Sequence, residues 1–163
     1  DVEIELNGLS VRALSPASMA KHIAYHGQDN FLVPGTILEN LLLENPGCSA
    51  ERAIALAEKL GAGISEKFSG GYDHQIIESG KNLSGGEKQI ICLVRTLLRS
   101  AEIFILDEFT NHLSAEIVQK VTRYLNSEEM AGRTLLVVSH QPISLRGREL
   151  RFERGRLQVE LLR

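Results

Sequence analysis

The sequence predicts an α/β domain, and three stretches carry that prediction. Ile103-Phe104-Ile105-Leu106 and Leu135-Leu136-Val137-Val138 are unbroken apolar runs that read as fully buried strands. Ahead of them, Ser84 with Glu87 three positions later is a capping box. It opens a helix whose apolar positions Ile90, Ile91, Val94, Leu97 and Leu98 follow at helical spacing. Each apolar run delivers polar residues at its C-terminal end, Asp107-Glu108 and His140, where open α/β sheets bind ligands.

The remaining elements follow in order. Val2, Ile4 and Leu6 alternate with Glu3 and Glu5, and Asn7-Gly8 marks a tight turn before Leu9 and Val11, which predicts a hairpin. Ser15-Pro16-Ala17-Ser18 has helix-start character, and residues 22–26 read as a short strand ending at Gly27-Gln28. Thr36 and Glu39 form a second capping box. Ala53, Ile54, Leu56, Ala57 and Leu60, closed by Gly61, predict an amphipathic helix after Ser49, and Ile64 with Phe68 a shorter one. Residues 70–80 form a glycine-punctuated loop. Ser114 caps a helix carrying Ile117, Val121, Leu125 and Met130, and residues 150–159, with Gly155 central, predict a closing hairpin.

Bulk properties exclude several classes. A chain of 163 residues with 43% hydrophobic content has the size and core of one ordinary domain. Its net charge of −3 comes without a basic block, so no nucleic-acid partner is indicated. Cys48 and Cys92 lack metal-ligand spacing and read as packing thiols of a reducing compartment. No apolar run approaches the roughly 18 residues of a membrane span, which predicts a soluble segment.

Chemistry concentrates in two places. Gly85 and Gly86 at the opening of the capped helix leave backbone N–H groups bare beside the positive end of the helix dipole, where an anion can sit. Asp107 and Glu108 offer carboxylates, so metal and phosphate are the natural guests.

At these residues the chain resembles the nucleotide-binding domain of ATP-binding cassette (ABC) proteins. Leu83-Ser84-Gly85-Gly86-Glu87-Lys88-Gln89 resembles the signature motif, and Ile103 to Glu108 the Walker B strand with its catalytic glutamate. Gln28-Asp29-Asn30-Phe31 resembles the Q-loop, and Phe109-Thr110-Asn111-His112-Leu113-Ser114 stands at the D-loop. The resemblance implies a P-loop NTPase (RecA-like) core over residues 1–34 and 100–163 and a helical subdomain over 35–99 that ends in the signature helix. It implies ATP and Mg²⁺ as ligands. Asp107 would hold the metal, Glu108 would polarise the attacking water, Gln28 would approach both, and His140 would bond the γ-phosphate. Ser84, Gly85 and Gly86, with Gln89 on the same motif, would act on the nucleotide of a partner cassette in a head-to-tail dimer. His22, His26 and His74 read as structural, with His112 a weaker D-loop candidate. The sequence departs from the family where Ile90 follows Gln89, where Ser114 replaces the D-loop aspartate and at Phe109.

The family's phosphate-binding run G-x-x-x-x-G-K-[ST] does not occur in the 163 residues. The expectation is therefore a C-terminal part of a nucleotide-binding domain, without its phosphate-loop strand and helix and inactive alone. The resemblance implies that the strands ending at Gln28, Asp107 and His140 lie side by side with the phosphate-loop strand next to the last of them, which leaves 135–139 as an open apolar edge. That edge predicts self-association, a rearranged C-terminal hairpin or marginal stability.

Thr36-Ile37-Leu38-Glu39-Asn40, with Glu78 and Gly80 before the signature, points to an exporter-type transporter. Its cassette would lie at the cytoplasmic face of a membrane against a transmembrane domain. A soluble ABC ATPase of the translation-factor or chromosome-maintenance kind is the alternative, echoed in Leu83 to Lys88 and Thr110 to Leu113. A catalytically dead regulatory cassette is the third.

Overall fold

A computed structural model describes residues 3–153 and 156–162. Strands β1 (Glu5–Leu6) and β2 (Leu9–Ser10) pair antiparallel with Leu6 opposite Leu9. Asn7 and Gly8 both take positive φ, 50° and 78°, as a two-residue hairpin turn requires. Val2, part of the predicted alternation, lies outside the described residues. Helix α1 (Pro16–His22) starts with proline in its first turn and with the Ser15 hydroxyl accepting from the Ser18 amide at 3.1 Å. It claims His22, so β3 (Ile23–His26) is one residue shorter than expected.

After β4 (Gly35–Thr36), helix α2 (Ile37–Leu42) carries the predicted capping box in both directions, Glu39 N–H to Thr36 Oγ1 and Thr36 N–H to Glu39 Oε2. Helices α3 (Ala50–Lys59, capped by Ser49) and α4 (Ile64–Lys67) follow. Within the glycine-rich loop, β5 (Gln75–Ile76) pairs antiparallel with β4. Helix α5 (Gly85–Leu97) opens on the Ser84–Glu87 box, again satisfied in both directions.

Strand β6 (Ile103–Asp107) leads to α6 (Ala115–Leu125), capped by Ser114. Met130 is not on this helix but buried in a separate turn at 128–130. The reason is local: Ser127 Oγ bonds the Tyr124 carbonyl, and the Asn126 amide turns away to Ser144 O and Arg146 N–H. Such side chains compete with helix continuation. Strand β7 (Thr134–Val138) completes a three-stranded parallel sheet in the order β3-β6-β7. Strands β8 (Gly147–Glu153) and β9 (Arg156–Leu162) pair only with each other, in a longer hairpin than predicted. Gly155 lies outside the described residues. No described helix is long and apolar enough to cross a membrane.

Two expectations about burial change. Residues 103–106 and 135–138 are not covered on both sides: β6 alternates between buried and half-buried residues, and β7 between half-buried and exposed. Registered neighbours Ala24, Phe104 and Leu135 face the core, whereas Tyr25, Ile105 and Leu136 face outward, with Tyr25 60% and Leu136 48% exposed. A continuous apolar run thus hides a period-2 burial pattern, because only one face of this sheet has helices packed on it.

The signature helix shows the reverse. Every residue from Gln89 to Leu98 is buried, and α5 packs against α2, α3 and β3. A helix covered all round must satisfy its polar side chains internally. Arg95, 8% exposed, donates to Asn40 O at 2.7 Å, Phe31 O at 2.8 Å and Asn40 Oδ1 at 3.1 Å. Asn40 in turn bonds both polar groups of the Val33 backbone and the Thr36 carbonyl. Replacing Arg95 by Met should strand these acceptors and cost about 3 kcal/mol of unfolding free energy. Urea denaturation of the variant measures that loss.

Candidate functional site

The capped start of α5 is a shallow cradle. Ser84 and Gly85 are exposed and Gly86 is half-buried, with the 109–112 turn packed beside them. A Cβ on Gly86 would stand 2.6 Å from the His112 carbonyl oxygen, and one on Gly85 3.4 Å from the His112 ring. Only glycine admits so close a backbone approach. The turn and the helix N-terminus are therefore built against each other, with the free N–H groups of the first turn facing outward.

At the carboxyl ends of the sheet, β6 ends in Asp107 and the chain turns sharply at Glu108. Glu108 takes φ +51°, unusual for a non-glycine residue. Its amide donates to Val138 O at 2.8 Å, its carbonyl accepts from the Asn111 amide at 3.1 Å, and Asn111 Nδ2 donates to its carboxylate at 2.7 Å. His140, just beyond β7, brings Nε2 to 2.7 Å from Glu108 Oε1. The imidazole is largely exposed while the carboxylate is mostly covered, so the acid is held and the base stands at the surface. Asp107 lies on the outward face of the sheet, with the Tyr25 hydroxyl 3.5 Å from Oδ2.

Behind the acids lies a buried polar network that the sequence did not reveal. Gln89, 2% exposed, accepts at Oε1 from Asn30 Nδ2 at 2.5 Å. Its Nε2 donates to Phe109 O at 3.1 Å, reaches Glu108 O at 3.5 Å and stands 3.1 Å from His26 Nε2. Donation to His26 requires its Nε2 to be unprotonated, and burial, reinforced by the Arg95 charge, lowers the imidazole pKa to about 4. The Asn30 Oδ1 atom is buried without a hydrogen-bond partner. Burial also pushes the Cys92 thiol up, in keeping with a packing role, while Cys48 is half-buried.

The predicted site residues thus separate. Glu108 and His140 touch, and Asp107 immediately precedes Glu108 in the chain. Ser84, Gly85 and Gly86 line the helix start. Gln28 is exposed in the bend after β3 and makes no side-chain hydrogen bond to a described residue. Gln89 points inward. His22 meets Glu102 at 3.5 Å, and His74 meets Asn82 at 3.1 Å. The missed residues are His26, Asn30 and Arg95. Of these only Arg95 left a sequence signal, as a lone cation inside the run Leu93-Val94-Arg95-Thr96-Leu97-Leu98.

The donor chemistry suits a small hard cation shared with phosphate. Among the described residues no cluster of three or more His, Cys, Asp or Glu could hold a metal by itself. A Mg²⁺ site of the one-carboxylate kind needs no such cage, because substrate oxygens and water complete it. Asp107, at the carboxyl end of β6, fits that pattern.

A parallel sheet carrying an acid–histidine pair at its carboxyl ends, beside a glycine-opened helix, defines an α/β domain of the P-loop type of architecture. Residues 2–111 match the family described as ABC transporter. A beta-glucan export ATP-binding/permease protein of Bradyrhizobium diazoefficiens is 35% identical over 94% of this chain and 26% of its own length. P-glycoprotein 14 of Caenorhabditis elegans is 33% identical over 93% of this chain and 12% of its own. The ATP-dependent lipid A-core flippase of Syntrophus aciditrophicus is 35% identical over 88% and 24%. The chain belongs to the ABC transporter family. It spans about an eighth to a quarter of the length of these relatives.

His26 gives the fold a pH dependence with a defined sign. Its folded pKa lies below its unfolded value, so the unfolded chain binds the extra proton between about pH 6.5 and 4. The stabilisation is complete above pH 6.5, and about 3 kcal/mol is lost as pH falls through that window. Urea midpoints at pH 7 and 4.5 should differ accordingly, with a smaller difference in His26→Gln.

Proposed function

We propose that this chain is part of the ATP-hydrolysing unit of an exporter-type ABC transporter, acting through nucleotide-driven pairing of two cassettes. The observation that carries the reading is the 2.7 Å contact between His140 and Glu108 beside Asp107 at the carboxyl end of the sheet. The exporter names of the relatives favour it over a soluble ATPase.

In this reading Glu108 orients and polarises the attacking water, and its covered carboxylate is kept in one geometry by Asn111 and His140. His140 moves from Glu108 to donate to the γ-phosphate. Asp107 and Gln28 would hold Mg²⁺, which would supply charge neutralisation for the triphosphate. The first turn of α5, with Ser84, Gly85 and Gly86, receives the phosphates of a nucleotide held by a second, head-to-tail cassette. Residues 1–34 and 100–163 belong to the RecA-like core and 35–99 to the helical subdomain. That subdomain meets a transmembrane domain at the cytoplasmic side of the membrane.

In the full-length protein, Glu108→Gln should reduce steady-state MgATP turnover by about two orders of magnitude or more while MgATP binding persists. Phosphate release at the wild-type rate would refute the role. For residues 1–163 alone we expect neither turnover nor tight MgATP binding. With no phosphate-loop lysine in the sequence, the paired acids Asp107 and Glu108 repel the triphosphate. We also expect self-association through the open edge of β7. Calorimetric titration with light scattering tests both: a monomer with micromolar MgATP affinity would overturn this account.

A further inference from the structure

Gln89 bridges two segments that lie far apart in sequence, residues 26–30 and the turn after β6. Its amide bonds Asn30 in the loop after β3, His26 at the end of β3, and the Phe109 carbonyl in the turn after β6. The Glu108 carbonyl lies at the edge of the same amide, 3.5 Å away. Phe109 is fully buried, so the turn is held from below by its ring and by Gln89. Its upper side carries the Glu108 carboxylate. Both NH₂ hydrogens of Gln89 have buried acceptors, so its amide has no donor left for a ligand.

We propose that Gln89 is a positioning residue for the Glu108 carboxylate, coupling the 27–31 loop to the 108–112 turn through a buried bridge from His26 and Asn30 to the Phe109 carbonyl. The proposal rests on the functional reading above and replaces the role that the family resemblance implied for Gln89, which then serves the catalytic acid of its own chain rather than a partner's nucleotide. The physical case follows from backbone strain. Glu108 at φ +51° occupies a conformation that persists only when neighbours over-determine it. The Val138 carbonyl and the Asn111 amides hold the turn on its outer side. Gln89 supplies the inner hold. Removing it leaves the Phe109 carbonyl buried and unpaired, and the turn gains freedom to relax toward an ordinary φ. The same loss frees Asn30, two residues from Gln28. A single side chain therefore sets the relation between the loop proposed to approach metal and water and the acid proposed to polarise that water.

The test uses the full-length protein with Gln89→Leu, His26→Leu and the conservative His26→Gln, which keeps an acceptor for the Gln89 amide. Hydrogen exchange should rise about tenfold at both 28–31 and 109–112 in Gln89→Leu and His26→Leu, with α3 unchanged and His26→Gln recovering most of the protection. MgATP turnover should fall about tenfold in kcat with KM held within about twofold, the signature of a misplaced acid rather than lost binding. Exchange that rises evenly through α5 and the rest of the core, or a KM rise with kcat unchanged, overturns the proposal. If the wild-type protein shows no MgATP turnover, the functional reading falls, and the paired exchange response alone then decides the coupling.

Discussion

A helix covered on every side can keep polar residues only where the surrounding chain supplies their partners, and α5 imposes that demand on the whole structure. Its outer turns meet α2 and α3, its inner face meets β3, and its polar side chains reach out of it in two directions. Arg95 gathers the carbonyls of Phe31 and Asn40, while Gln89 gathers His26, Asn30 and the Phe109 carbonyl. The loop between β3 and β4 is thereby tied twice to one helix. Neither polar residue improves the core as an apolar side chain would. A buried guanidinium bonded only to neutral acceptors is costly to desolvate. What the arrangement supplies is registry, because the acceptors are met in one arrangement of loop, helix and turn.

The same helix begins where the chemistry is expected. Ser84 spends its hydroxyl and amide on Glu87, so the box fixes the first turn without consuming the N–H groups of Gly85 and Gly86. His112, at φ +61°, lays its carbonyl against Gly86. The turn that holds Glu108 and the turn that opens α5 are thus one packed unit. Motion of the helix start would be felt at the acid, and motion of the acid at the helix start.

The sheet is less complete than its helices. One face carries Ala24, Phe104 and Leu106 into the core, while the other leaves Tyr25, Leu136 and Val138 substantially exposed. Asp107 opens onto that exposed face and Glu108 onto the adjacent turn. The hairpin of β8 and β9 likewise exposes Leu150, Val159 and Leu161. These surfaces stand in contrast to the buried stretch of α5 from Gln89 to Leu98.

Much of this was legible in the sequence, because the features involved are local. Two capping boxes, the Asn7-Gly8 turn and the serine caps at Ser15, Ser49 and Ser114 each depend on residues three or fewer apart, where side-chain and backbone groups meet whatever the rest of the chain does. The parallel strands and the polar groups at their ends were legible for a similar reason: apolar runs bounded by Asp107-Glu108 and by His140 mark both strand and terminus. What the sequence could not determine was the number of neighbours each element would have. Ile103 to Leu106 reads the same whether one face or two are covered, and Gln89 reads with Ser84, Gly85 and Gly86 as facing a partner's nucleotide until α5 is seen enclosed. His26, Asn30 and Arg95 became partners only through contacts spanning roughly 60 residues of chain, and tertiary structure alone decides which polar groups are buried together and must satisfy one another.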